Sequence, residues 1–533
     1  MTERPITAST PEVNEKRYWI LAVLCLSLLI VVVGNTVVNV TLPRLVEDLH
    51  ATSTELQWVV AAYALVFAGL LLTAGALGDR YGRKGALTIG LIIFGLASLG
   101  AMFAGSPTRL IAARAIMGVG AALIMPATLS ILVTVFPPQE RAKAIATWAG
   151  VAGGGAAIGP VTGGYLLEHF YWGSVFSINL PLVVLALIAG RLLIPTSRDP
   201  HETPLDPIGA GLSIVGLTAL LYGIIEAPDH GWGSSLILAC FAVAVVVLGA
   251  FAWWELRNPK PMLDLRFFKN RTFSGGALAI TLNFFALFGA FFMLTQYLQF
   301  VEGYTPLQAG IRTLPMAAVM MIVAPRSAGI AARFGTKRTV ASGLLVVSLG
   351  LFLMSRLEVG TSYTYIAFAL VVTAFGMGMT MPPATGAIMS GVPMAKAGVG
   401  SAMNDTTREL GGALGVAVIG SVLSSHYSSA IRPAIAGLPA EAQSIVKSSV
   451  GGAIALRDQV GPAVVSAAKT AFVDGMQQSM VVAAIIAITA SGIALWLLPA
   501  EVHHGRADGH GSRVDGQPDE QPAHAGTLDM DVV

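Results

Sequence analysis

In the stretch NDTTRELGGALG, Asp405, Arg408 and Glu409 fall at spacings of three and four inside an otherwise small and apolar run, which puts all three on one face of a helix. A carboxylate whose burial changes between two states of a protein binds its proton with a different affinity in each, and coupling a proton to a movement requires that difference. Two structural roles compete with that one. Arg408 can simply neutralise both acids, or the cluster can lie in the first turns of its helix as the partner of a loop elsewhere. Arg114 in RAIMGVGAA and Arg326 in MIVAPRSAG are two further guanidiniums set in apolar runs, and Arg326 has no obvious local partner.

These charges stand out because so little around them is charged. The chain of 533 residues is 54% hydrophobic and only 12% charged, about half the charged share of a soluble domain, so a water-soluble core is excluded. A bilayer core of roughly 30 Å needs about 20 apolar residues per helix. Runs of that kind lie at about 18–43, 55–78, 85–104, 108–135, 144–167, 174–194, 207–227, 234–255, 273–300, 310–331, 339–356, 363–389, 398–425 and 476–498, fourteen in all. The first, behind Lys16 and Arg17, is too long for a signal-peptide core and is expected to be retained. An even number of spans places both termini on one side. Lys and Arg concentrate in the short loops on that side, while the short loops opposite hold little beyond Arg44, Arg109 and Arg356, so both ends are expected in the cytoplasm. The expected fold is therefore all-α and membrane-embedded. The long outer segment 426–475 is expected to form amphipathic helices on the outer face, and the tail 499–533 to be disordered.

At membrane depth a guanidinium costs at least about 2.5–3.5 kcal/mol, so Arg114 is expected to face a cavity or a partner, unless it snorkels to the outer face from the first turns of its helix. Two further motifs bear on mechanism. GALGDRYGRKGAL places Gly78, Asp79, Arg80, Gly82, Arg83 and Lys84 between the second and third spans; Gly82 permits a tight turn, and the three cations hold the loop at the surface. It recurs in degraded form as AARFGTK, Ala331 to Lys337, which points to two pseudo-symmetric halves with a site between them. GAAIGPVTGG repeats Gly155, Gly159 and Gly163 every four residues, a smooth stripe for close helix approach, with Pro160 bending the helix and Gly164 beside it.

With these motifs the chain resembles the major facilitator superfamily, in particular the fourteen-spanner branch of drug:proton antiporters, over nearly all of 18–498. The resemblance implies two six-helix bundles, 18–194 and 273–498, with two extra linker helices at 207–255. It implies that Asp79 docks near a helix N-terminus of the opposite bundle, where a carboxylate is favoured by about 0.3–1 kcal/mol or more, latching one state. It implies a role for Arg114 near proton transfer, and for the Gly155–Gly164 pattern a role in export rather than uptake; NLP at Asn179 to Pro181 fits the same branch. Here the chain departs from the branch: the usual acid of the first span is Gly34, which leaves Asn35 and Asn39, neither of which titrates. Asp405, Arg408 and Glu409 are then the alternative proton site. The helices that line the cavity in this superfamily carry Trp58, Tyr63, Trp148, Asn283, Phe284, Phe288, Gln296 and Tyr297, to which Arg326 is added as a candidate; aromatic faces suit flat or cationic amphiphiles.

The reading that results is a secondary transporter of a bacterial inner membrane, moving small amphipathic or cationic compounds outward against protons. A dedicated exporter of an endogenous lipid, peptide or metabolite is the alternative. No phosphate-binding loop of the G-x-x-x-x-G-K-[ST] kind and no H-E-x-x-H occurs, which argues against an ATP-driven pump and a metalloenzyme. Cys25 and Cys240 lie in apolar runs and are expected to be inert, and His503, His504, His510 and His524 to be solvated tail residues. No cofactor, no metal and no nucleic-acid partner is expected, and the chain is expected to act as a monomer in the bilayer.

Overall fold

The computed structural model describes residues 11–196, 206–259, 261, 263–392 and 397–499, and the tail with its four histidines lies outside them. In chain order the helices are α1 (Pro11–Leu49), α2 (Ser53–Tyr81), α3 (Arg83–Met102), α4 (Pro107–Val135), α5 (Pro138–His169), α6 (Asn179–Leu193), α7 (Pro207–His230), α8 (Ser235–Arg257) and α9 (Arg271–Gln296). Then come α10 (Pro306–Arg312), α11 (Leu314–Phe334), α12 (Thr336–Met354), α13 (Tyr363–Ser390), α14 (Ala397–Ala430), α15 (Arg432–Ile435), α16 (Ala440–Ser448), α17 (Val450–Ala455) and α18 (Arg457–Leu497). Thirteen stretches among the described residues are long and apolar enough to cross a membrane, with α10 and α11 together forming one of them. The 32-residue α5 supplies the fourteenth element of sufficient length.

Local chemistry sets the boundaries. Thr52 and Glu55 close a capping box at the start of α2, satisfying two amides that the first turn leaves open. Gly82 ends α2 and starts α3 with φ at 118°, and Gly335 joins α11 to α12 with φ at 87°. Both values lie where a side chain is strained, so the paired loop motifs share a backbone requirement as well as a charge pattern.

The two-half architecture repeats in the packing. A Cβ placed on Gly90 of α3 would come within 2.9 Å of Gly120 O in α4, and one on Gly120 within 2.8 Å of Gly90 O. The second half has the same mutual contact between Gly343 of α12 and Gly376 of α13, at 2.9 and 2.6 Å. In hydrocarbon, where apolar side chains gain little by leaving lipid, such backbone proximity is what holds helix pairs together.

Between the halves the contact is concentrated at the end that carries the α1–α2 loop. There Gly164 of α5 faces the backbone of Pro306 and Leu307, and Gly310 of α10 faces the Pro160 carbonyl. Gln299 donates to Val40 O at 3.0 Å, and Gly420 of α14 lies against Gln57 of α2. The same end carries the long segment between α14 and α18. Only its middle consists of short helices: α14 runs on to Ala430, and α18 begins at Arg457 and turns at Gly461, where φ is 79°. Of the short helices α16 is amphipathic, burying Ala442 and Val446, whereas α17 is buried, with Gly451 against Val46 and Phe300.

Candidate functional site

Arg114 is completely buried, so the structure excludes snorkelling to the surface. Its side chain ties three helices of the first bundle together. Nε donates to Val59 O of α2 at 3.0 Å, Nη1 to Gly34 O of α1 at 3.0 Å and Nη2 to Asn35 Oδ1 at 3.3 Å, while the guanidinium lies 4.3 Å from the Tyr63 ring. A fork of fixed donors suits this task, since it meets several acceptors at once and spreads its charge over the aromatic face.

Gly34 is thus part of this arrangement through its carbonyl. A Cβ there would come within 2.7 Å of Phe94 Cζ, so the space an acidic side chain would enter is filled by α3. Asn35, one residue along, supplies the side-chain acceptor that the sequence lacks at position 34.

Across the interface α14 presents its charged face. Arg408 Nη1 lies 3.5 Å from Asp405 Oδ1, and its guanidinium sits 4.8 Å from the Phe284 ring of α9. Glu409 is differently placed: it is in electrostatic reach of Arg408 and Asp405 on its own helix and of Arg114 and Tyr63 in the opposite bundle, with Oε2 buried and without a hydrogen-bond partner. Both polar atoms of the buried Asn283 amide, Asn39 Oδ1, Tyr63 Oη and Trp148 Nε1 also lack partners. An unpaired polar group in a dry interior is costly, so a set of them in the transmembrane region is an arrangement that a polar ligand, water or proton would complete.

Other expected site residues go elsewhere. Trp58 turns its Nε1 to Glu226 of the linker helix α7 at 3.0 Å instead of to the space between the bundles. Gln296 is buried and bonds its own helix at Phe292 O, and Tyr297 bonds Glu302 and Glu358 O near the α1–α2 end. Arg326 is exposed and donates to Ile322 O of its own helix at 2.6 Å, a backbone partner that the sequence does not announce.

In the loop between α2 and α3, Arg83 bonds Thr134 of α4, Lys84 donates to Arg191 O at the end of α6 at 2.9 Å, and Arg80 lies over Tyr81. These contacts fasten the loop to its own bundle; the side chain of Asp79 lies outside the described residues. The glycine stripe has two distinct faces. Gly155, Gly159 and Gly163 receive Leu29, Thr36 and Val37 of α1, whereas Gly164 meets the other bundle at α10.

Thr36, Gln57, Phe94, Ser421 and the polar end of α7 were not singled out from the sequence. The signal for the last was present as Glu226, Pro228 and Asp229 closing an apolar helix.

Residues 24–416 match the family model described as Major Facilitator Superfamily. The chain is 36% identical over 495 residues to the multidrug efflux pump LfrA of Mycolicibacterium smegmatis, covering 92% of this chain and 97% of that protein. It is 34% identical over 463 residues to the methyl viologen resistance protein SmvA of Salmonella typhimurium, covering 86% and 93%. With the puromycin resistance protein pur8 of Streptomyces alboniger the identity is 38% over 417 residues, covering 77% and 82%. Among solved structures, a bacterial homologue of the human lysosomal transporter Spinster, inward-facing and unoccupied, superposes with a TM-score of 0.65 at 19% identity, covering 92% of this chain and 97% of that one.

Proposed function

The chain belongs to the Major Facilitator Superfamily, and on that premise we propose that it is a proton-coupled exporter of small amphipathic or cationic compounds, working by alternating access in a bacterial inner membrane with both termini cytoplasmic. The observation that carries this reading is the presence of buried ionisable groups in both bundles: Glu409 of one has a buried carboxylate oxygen without a hydrogen-bond partner, and Arg114 of the other is completely buried against Tyr63. Whether Glu409 carries a proton changes the attraction between the bundles directly, because the two charges belong to different halves.

The substrate class rests on the relatives, named for efflux or resistance to several drugs, methyl viologen and puromycin, and on the Phe284 and Tyr63 rings, which already hold the Arg408 and Arg114 guanidiniums in the kind of contact a cationic ligand makes. With the charge pattern of its loops, the closed α1–α2 end is the outer one, so the arrangement corresponds to a pump open toward the cytoplasm. In that orientation Gly164, the member of the α5 pattern that meets α10, stands at the end that opens, and the Asp79 loop stands at the opposite, inner end, as a latch for the outward-open state.

Inverted membrane vesicles test the proposal. An imposed proton gradient should drive uptake of ethidium, methyl viologen or puromycin, and collapse of the gradient should abolish it. Uptake that is indifferent to the gradient, or absent for all three compounds, would refute this function.

A further inference from the structure

We infer that the linker helix α7 is a moving part of the gate at the α1–α2 end, docked on α14 by a plug: Ser421 caps the carbonyl that Pro228 leaves open. Pro228 lies inside α7 and has no N–H, so the carbonyl four residues back, Ile224 O, loses its helical donor. Within a membrane an orphaned carbonyl must find another donor. Ser421 of α14 supplies it, with Oγ donating to Ile224 O at 2.6 Å. The same hydroxyl is 3.5 Å from the Gln57 amide of α2, and the neighbouring Gly420 has no side chain, which lets α2 approach. Three helices, from both bundles and the linker, therefore meet at one hydroxyl. Below it a separate buried apolar seam joins the same three through Ala61 and Leu65, Leu221 and Ile225, and Ala413 and Ala417.

The two attachments of α7 are unequal. To α2 it is bound by Trp58 Nε1 on Glu226 Oε1 at 3.0 Å and by Thr54 Oγ1 on Asp229 Oδ2 at 2.7 Å. Further along, Ile214 fills the notch at Gly69, where a Cβ would come within 2.7 Å of it. Against α14 it packs over a comparable length, but there the one side-chain hydrogen bond among the described residues is that of Ser421, so the inequality lies in the polar contacts. When α2 and α14 part, α7 travels with α2 and the bond to Ser421 breaks. Water entering the opened end then replaces the hydroxyl as donor to Ile224 O, so the break is reversible. This inference rests on the proposed parting of the bundles, and the test separates the two.

The full-length protein, with Cys25 and Cys240 replaced by alanine, is placed in lipid nanodiscs with spin labels at Phe170 and Val359, both exposed at the α1–α2 end of opposite halves. Pulsed electron-spin distances give the population open at that end. Ser421→Ala removes the donor from the closed state only and should raise the open population about 10-fold, as loss of one buried hydrogen bond implies. Pro228→Ala gives Ile224 O an amide donor within α7, so in that background Ser421→Ala should change the population less than about 2-fold. Equal shifts in both backgrounds, or none in either, would overturn the plug while leaving alternating access intact. Labels that never separate in any variant, at any pH or with ethidium present, would overturn both.

Discussion

Gly164→Ala should open the α1–α2 end without loosening either bundle. A Cβ at this position would come within 2.6 Å of Leu307 Cα and Pro306 O and within 2.8 Å of Leu307 N. All three are backbone atoms, so no rotamer change relieves the contact and α5 must retreat from α10. One added methylene in a well-packed site costs about 1–3 kcal/mol. Here the cost falls on the closed arrangement alone, because α5 and α10 belong to different halves; the gain in helix propensity from glycine to alanine is common to both arrangements and cancels. The population open at that end should therefore rise about 5- to 150-fold.

The assay is the rate at which an impermeant maleimide modifies Val46→Cys in a background lacking Cys25 and Cys240, since Val46 is buried against Gly451 when the end is closed. Gly492→Ala on α18 is the control, because a Cβ there meets nothing within 4 Å. By contrast Gly159→Ala, whose Cβ collides with Thr36 inside one bundle, should lower thermal stability and leave the modification rate nearly unchanged. A modification rate in Gly164→Ala equal to that of the Gly492→Ala control would refute the assignment of this contact to the gate.

Asp405→Asn and Glu409→Gln, made separately, should leave ligand binding in place and remove its pH dependence in at least one case, read by dye-binding titrations across pH; unchanged profiles in both would put the proton site elsewhere. Arg114→Lys keeps the charge but cannot meet Val59 O, Gly34 O and Asn35 together; losing one such bond at about 1.5–3 kcal/mol should cut dye efflux at least 10-fold with membrane abundance retained. Gly82→Ala and Gly335→Ala force alanine to positive φ, and each should cost about 1–3 kcal/mol, seen as a lowered melting temperature in detergent. Asp79→Asn should cripple transport at normal expression, and full activity would remove the latch.

The all-helical membrane fold and the positions of most of its long apolar helices were legible from the chain because each rests on local chemistry, although the last helix begins at Arg457, well before the expected 476. A run of about 20 apolar residues can satisfy its backbone in lipid only as a helix, and the Gly82 and Gly335 turns announce themselves by glycine beside basic residues. The charged face of α14 was legible for the same reason, since three- and four-residue spacing fixes a face whatever lies opposite.

What lies opposite was decided by the tertiary structure. Nothing in RAIMGVGAA says that Arg114 bonds the carbonyls of Gly34 and Val59, because a carbonyl acceptor has no residue identity to read. Trp58 reads as a cavity aromatic until α7 is seen to stand beside it, and the polar end of α7 reads as a helix terminus until Ser421 is found on the carbonyl freed by Pro228. Periodicity along one helix fixes the directions of its own side chains, whereas the pairing of faces between helices depends on backbone approach at glycines such as Gly120, Gly164 and Gly420. In α5 the four-residue stripe announces close packing, yet only the assembled bundles show that Gly159 serves α1 and Gly164 the other half.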